Sequence, residues 1–169
     1  MSNPFKLVIA IGVSELAGVI GSVFTVSAIP NWYAGLVKPA LNPPAWVFGP
    51  VWTTLYALMG IAAWLVWNQW SQGSPSTRLR VKTALAVFGL QLFLNAIWSI
   101  IFFGSTSLTI NGLNNIGIAL IDIILLWLAI VWTMVVFYKI SKPAAYLLLP
   151  YILWVSFAAY LNYSIWMLN

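Results

Sequence analysis

The chain has 169 residues, of which 63% are hydrophobic and only 5% charged, with a net charge of +5. A soluble domain carries about 25% charged residues, so this composition cannot cover a water-facing surface and suits one that faces lipid. Cysteine and histidine are absent and the only acids are Glu15 and Asp122, which excludes disulfides, thiol chemistry, the commonest metal ligands, a histidine-based triad and a paired-carboxylate site.

A spanning helix needs roughly 20 mostly apolar residues, and five stretches reach that length. The first covers about residues 5–28. Its apolar run is long and has no clear small-residue cleavage site, so it reads as a span rather than a removable signal. It carries Glu15 and a small, weakly polar face of Ser14, Gly18, Gly21, Ser22 and Thr25. Residues 29–44, IPNWYAGLVKPALNPP, follow as the longest connection, because Pro30, Pro39, Pro43 and Pro44 oppose a continuous helix. The second span is about 45–70, with Trp52 and Tyr56 one turn apart. Residues 71–80, SQGSPSTRLR, read as a polar flexible loop before a third span at about 81–103. On that span Gln91, Asn95, Trp98 and Ser99 fall on one side. A short uncharged turn leads to a fourth span at about 113–138, which contains Asp122. A tight Ser141-Lys142-Pro143 link opens the fifth, about 144–168, with a stripe of Tyr151, Trp154, Ala158 and Asn162. No internal repeat is visible, so residues 1–169 are expected to form one all-α membrane domain, a five-helix transmembrane bundle.

The seven basic residues sit in or beside the gaps between apolar runs and form no nucleic-acid-binding stripe. Lys6, Arg78, Arg80, Lys82, Lys139 and Lys142 fall on one side of the bundle and Lys38 alone on the other. The positive-inside rule then puts the N-terminus in the cytoplasm and the C-terminus and the first loop outside. A charge at mid-bilayer costs at least ~2.5–3.5 kcal/mol, so Glu15 and Asp122 should both face the bundle interior. For both acids a structural hydrogen bond between helices weighs more than a proton relay, since no intramembrane Lys, Arg or His accompanies them. Most of the eleven tryptophans suit the two interfacial belts, whereas Trp52, Trp98 and Trp154 lie deeper in their segments. Buried amides and hydroxyls in lipid must find partners, so the polar stripes should turn inward. Together with the aromatics they suggest a mixed pocket.

The run WYAGLVKPALNPPAWVFGPVWTTLYALMGIA at 32–62, LFLNAIWSIIFFG at 92–104 and LLPYILWVSFAAYLNYSIWMLN at 148–169 resemble, in order, the patterns of the translocator protein family. That family is also called the tryptophan-rich sensory protein or peripheral benzodiazepine receptor family. The resemblance implies a five-helix bundle, often a homodimer, with a ligand cavity closed by the first loop. It implies porphyrins, isoquinoline carboxamide and benzodiazepine-type drugs and, in animal members, cholesterol as ligands. The matching pocket positions are Tyr33, Trp46, Trp52, Asn95, Trp98, Ser99, Trp154 and Ala158. Asp122 matches an acidic position of bacterial members, and Met167 stands where animal members carry a basic residue.

The expected function is therefore a multi-pass receptor of a bacterial cell membrane that takes porphyrin-type tetrapyrroles, with a regulatory or transport role and no required cofactor. Flat macrocycles would stack on Trp52, Trp98 or Trp154, Asn95 and Ser99 would orient polar groups, and Lys38 would meet a propionate. An alternative is a light-dependent porphyrin-degrading enzyme, an activity that the resemblance associates with some bacterial relatives. Trp52 and Trp154 would then be its redox-active catalytic residues, because indole can give an electron to an excited porphyrin. A third reading is a small-solute transporter using Asp122 as a proton site.

Overall fold

The computed structural model describes residues 4–169, with the side chain of Gln72 excepted. Five segments are long and apolar enough to cross a membrane: Pro4–Tyr33, Ala45–Ser71, Pro75–Gly104, Asn115–Tyr138 and Lys142–Leu168. They are built from α1 (Pro4–Ala28), α2 (Ala45–Gln72), α3 (Pro75–Ser99), α4 (Asn115–Tyr138), α5 (Lys142–Tyr146) and α6 (Leu149–Leu168), with a two-stranded hairpin before α4. The all-α five-span bundle read from the sequence is the observed fold.

Four boundaries differ from the sequence reading, each for a local reason. Residues 29–44 are not one loop: a wide π-helical turn, Ile29–Tyr33, carries α1 past Pro30. Proline breaks an α-helix by removing a donor and crowding the preceding turn, and the wider turn accommodates both. The stretch 71–80 is not a flexible loop either. The hydroxyl of Ser74 accepts from Thr77 N at 3.3 Å and Pro75 occupies the first turn of α3, so the helix starts six residues before the expected 81. The turn after α3 contains a hairpin, Thr109–Ile110 against Leu113–Asn114. Asn111 and Gly112 sit at φ 49° and 81°, the left-handed pair that a two-residue hairpin turn requires. The fifth span is interrupted between α5 and α6 just ahead of Pro150, which has no N–H to continue the ladder.

One end of the bundle is close-packed. Met59, Ala62, Val66, Val81, Ala84 and Phe137 have no exposed surface there. α1 and α2 meet backbone to backbone, since a Cβ on Gly60 would lie 2.5 Å from Ile11 Cα. Lys6 closes this end, donating to Ser71 Oγ at 3.1 Å with its ammonium 5.4 Å from the centroid of Trp67. The small residues of α1 serve contacts within the chain. A Cβ on Gly18 would overlap the Tyr56 ring, and one on Gly21 would come within 2.8 Å of Ser99 Oγ. At the other end Trp32, Tyr33 and Leu36 pack on Phe102, Ile116 and Ile165, so the first loop sits down on the Ile100–Gly104 turn that continues α3, on α4 and on α6.

Candidate functional site

Between the dense end and the first loop, α1, α2, α3 and α6 separate around a cavity of about 470 Å³. Small residues on α1 make the space, and rings from the other helices line it. Trp52 stacks on Tyr56 with centroids 5.5 Å apart and planes at 27°. Trp98 stacks on Phe102 at 5.1 Å, and Phe48 meets Trp154 edge-on at 5.9 Å. The lining residues that remain exposed belong to two stripes, Val19, Ser22 and Val26 on α1 and Ala45, Trp46, Gly49 and Thr53 on α2. The cavity therefore opens along the α1–α2 seam, within the spanning segments.

The loop over the cavity is held by specific bonds. The Tyr33 hydroxyl donates to Asn42 Oδ1 at 2.9 Å, and Asn42 Nδ2 donates to Pro43 O at 3.1 Å. Val37 is paired with the C-terminal Asn169: its N–H donates to Oδ1 and its carbonyl accepts from Nδ2, both at 3.0 Å. Lys38 turns back onto the loop. Its Nζ donates to Leu36 O at 3.0 Å and lies 4.8 Å from the Tyr33 ring centroid. Lys38 does not line the cavity.

Of the residues singled out from the sequence, Tyr33, Trp46, Trp52, Trp98, Ser99, Trp154 and Ala158 line this one cavity. Asn95 does not. It lies behind the wall, 3% exposed. Its Oδ1 accepts from the Tyr56 hydroxyl, its Nδ2 donates to Tyr151 Oη at 3.0 Å, and Tyr151 donates onward to Gln91 Oε1 at 2.8 Å. The single stripe expected on α3 thus splits, with Gln91 and Asn95 forming a buried polar chain while Trp98 and Ser99 face the space. Trp98 is oriented by its N–H, which donates to Asn162 Oδ1 at 3.0 Å, and Asn162 Nδ2 in turn holds Ile116 O at 2.9 Å. The Trp154 Nε1 is buried without a hydrogen-bond partner among the described residues.

The two acids part company. Asp122 is buried, as the cost of an exposed carboxylate in lipid requires, but it is not among the cavity residues. Its Oδ2 has no hydrogen-bond partner among the described residues, so the expected interhelical bond is not made by that oxygen. Glu15 does line the cavity, and it makes no hydrogen bond among the described residues, so the interhelical bond expected of it is not formed. Phe48, Gly49, Thr53, Phe102 and Phe103 also line it without having been singled out. The first three share the helical spacing of Trp52 and Tyr56 and were legible from it.

A five-span bundle that encloses an aromatic, weakly polar cavity beneath a fastened loop defines an integral multi-pass membrane protein built around an internal site. The chain belongs to the TspO/MBR family, whose model matches residues 10–167. It is 43% identical over 164 residues to the tryptophan-rich protein TspO of Chlorobaculum tepidum, covering 96% of this chain and 95% of the relative. The human translocator protein is 40% identical over 147 residues, covering 87% and 80% respectively. The tryptophan-rich sensory protein of Cereibacter sphaeroides is 35% identical over 139 residues, covering 82% and 77%. These names describe a family of membrane sensors and receptors.

Proposed function

We propose that the chain is a membrane receptor that holds porphyrin-type tetrapyrroles, and isoquinoline carboxamide or benzodiazepine-type compounds, in the cavity beneath the first loop. Its role would be regulatory or in transport. The observation that carries this reading is the cavity itself. Its volume of about 470 Å³ falls in the roughly 300–1,000 Å³ range of small-molecule sites. Its wall joins the faces and edges of tryptophan, tyrosine and phenylalanine rings, which suit a flat apolar ligand. The hydroxyls of Ser22, Thr25 and Ser99 supply sparse polar contacts. A propionate would reach Lys38 at the loop rim only by drawing it off Leu36 O. We further propose a bacterial-type member with its N-terminus in the cytoplasm, working as a homodimer in lipid. The test is titration of the purified full chain with protoporphyrin IX, read as quenching of tryptophan fluorescence. Saturable quenching with low-micromolar affinity, on the order of −8 kcal/mol, supports the reading, and non-saturable quenching no different from that of free indole refutes it.

The stacking of Trp52 on Tyr56, with Tyr151 edge-on to Trp52 at 6.3 Å, favours a second reading, light-dependent porphyrin degradation. An excited porphyrin would oxidise the Trp52 or Trp154 indole by one electron. Illumination of the complex in air should then yield a new pigment, and Trp52→Phe and Trp154→Phe should suppress it while the porphyrin still binds.

A further inference from the structure

Glu15 stands in the cavity wall with nothing in the protein to answer its charge. It lies near the middle of α1 (Pro4–Ala28), makes no hydrogen bond among the described residues, and no lysine or arginine lines the cavity. It is one turn from Gly18, where α1 rests against the Tyr56 ring. An ionisable side chain inside the membrane is costly and is ordinarily paired. Here the space is lined by rings, each with a π face: Tyr56 and Trp52, stacked on each other, and Trp98 and Trp154. An organic cation within about 6 Å of such faces is attracted by the ring quadrupoles, and more strongly when desolvated. One carboxylate beside several rings, with no competing cation, is a recognition chemistry of one sign.

We propose that the cavity binds a flat organic cation, a protonated or quaternary aromatic amine, with Glu15 as its countercharge. This is a ligand class distinct from the tetrapyrroles. The inference rests on the cavity being the ligand site and not on the tetrapyrrole reading, which it also constrains. A dicarboxylate macrocycle must keep its propionates away from Glu15, toward the loop. The charge complementarity works through one atom pair, the Glu15 carboxylate and the ligand's ring nitrogen, so a matched pair of probes isolates it.

The experiment uses the full chain in non-ionic detergent with N-methylacridinium, a permanent cation, and neutral acridine of nearly the same shape. Binding is read by tryptophan quenching above protein-free micelles at mildly alkaline pH. The wild type is expected to prefer the cation by about tenfold or more, the order of one close ion pair outside bulk water. Glu15→Gln is expected to bring the two affinities together, and Glu15→Asp to retain part of the preference. Equal affinities in the wild type overturn the proposal without need of any variant, as does a preference that survives Glu15→Gln or the failure of both probes to bind. Protoporphyrin IX is titrated in parallel. If it does not bind while the Glu15-dependent preference stands, the tetrapyrrole reading fails and the cation site is upheld.

Discussion

Replacing Asn95 by leucine separates a structural role from a ligand-binding one. Its amide joins three helices: it accepts from Tyr56 on α2 and donates at 3.0 Å to Tyr151 on α6. Leucine removes both bonds. Interhelical hydrogen bonds in membranes average about 0.6 kcal/mol, and an ordinary buried bond is worth roughly 1 ± 0.5 kcal/mol. Tyr151 keeps its bond to Gln91 at 2.8 Å, but the Tyr56 hydroxyl is left without its acceptor. An orphaned buried hydroxyl costs roughly 1–3 kcal/mol, so the total should be about 2–4 kcal/mol of stability. Asn95 is 3% exposed and outside the cavity lining, so protoporphyrin affinity should change less than tenfold once folded protein is counted. The assay is reversible unfolding in mixed micelles together with ligand titration. Adding Tyr56→Phe to Asn95→Leu should recover part of the loss, because the orphaned hydroxyl goes with it. The reasoning is refuted if Asn95→Leu unfolds like wild type yet loses ligand affinity, which would return Asn95 to the binding surface.

Gly18→Val should destabilise the bundle by roughly 1–3 kcal/mol, the usual range for overpacking, because any Cβ there overlaps the Tyr56 ring. Thermal melting checks it, and an unchanged midpoint would mean that α1 can swing away freely. Trp154→Phe removes an N–H that is buried without a partner, so stability should hold or rise while ligand affinity falls by about 0.5–1.5 kcal/mol for the diminished ring contact. Asn169→Ala cuts both bonds to Val37 and should speed ligand release more than it lowers the melting temperature. Stopped-flow displacement measures the first and differential scanning the second. Reporter fusions active only in the cytoplasm should signal at the N-terminus and not at the C-terminus.

The spans were legible because lipid imposes a simple rule on sequence, long apolar runs with basic residues only at or near their ends. Local chemistry that works against the crude rule was not. Pro30 looked like a stop and is absorbed by a wide turn. Pro75 and the polar residues after it looked like a loop and start a helix, because Ser74 caps it. Asn111-Gly112 is a hairpin signal too short to register against runs of about twenty apolar residues. In the cavity, helical spacing found the right faces of α2, α3 and α6 but not their depth. Asn95 and Ser99 are four apart on one face of α3, yet one is sealed behind Tyr56 and Tyr151 and the other meets the space. Spacing gives direction around a helix, whereas the thickness of the neighbouring ring decides which residue is covered. Glu15 was recognised as costly, but only the course of α1 past Tyr56 shows that it reaches the cavity.

The seam between α1 and α2 would change what a binding constant means for the proposed ligand site. Val19, Ser22 and Val26 on one side and Gly49 and Thr53 on the other border an opening within segments long and apolar enough to cross the bilayer, which would put hydrocarbon rather than water at the door. A ligand that partitions strongly into lipid is present there far above its aqueous concentration, and the occupancy of the site follows its mole fraction in the membrane. Adding empty vesicles or micelles at constant total ligand dilutes that fraction, and apparent affinity should fall in proportion although no contact in the cavity has changed. Occupancy would then track how much of an apolar compound a membrane has accumulated relative to its lipid, a ratio that no aqueous concentration reports.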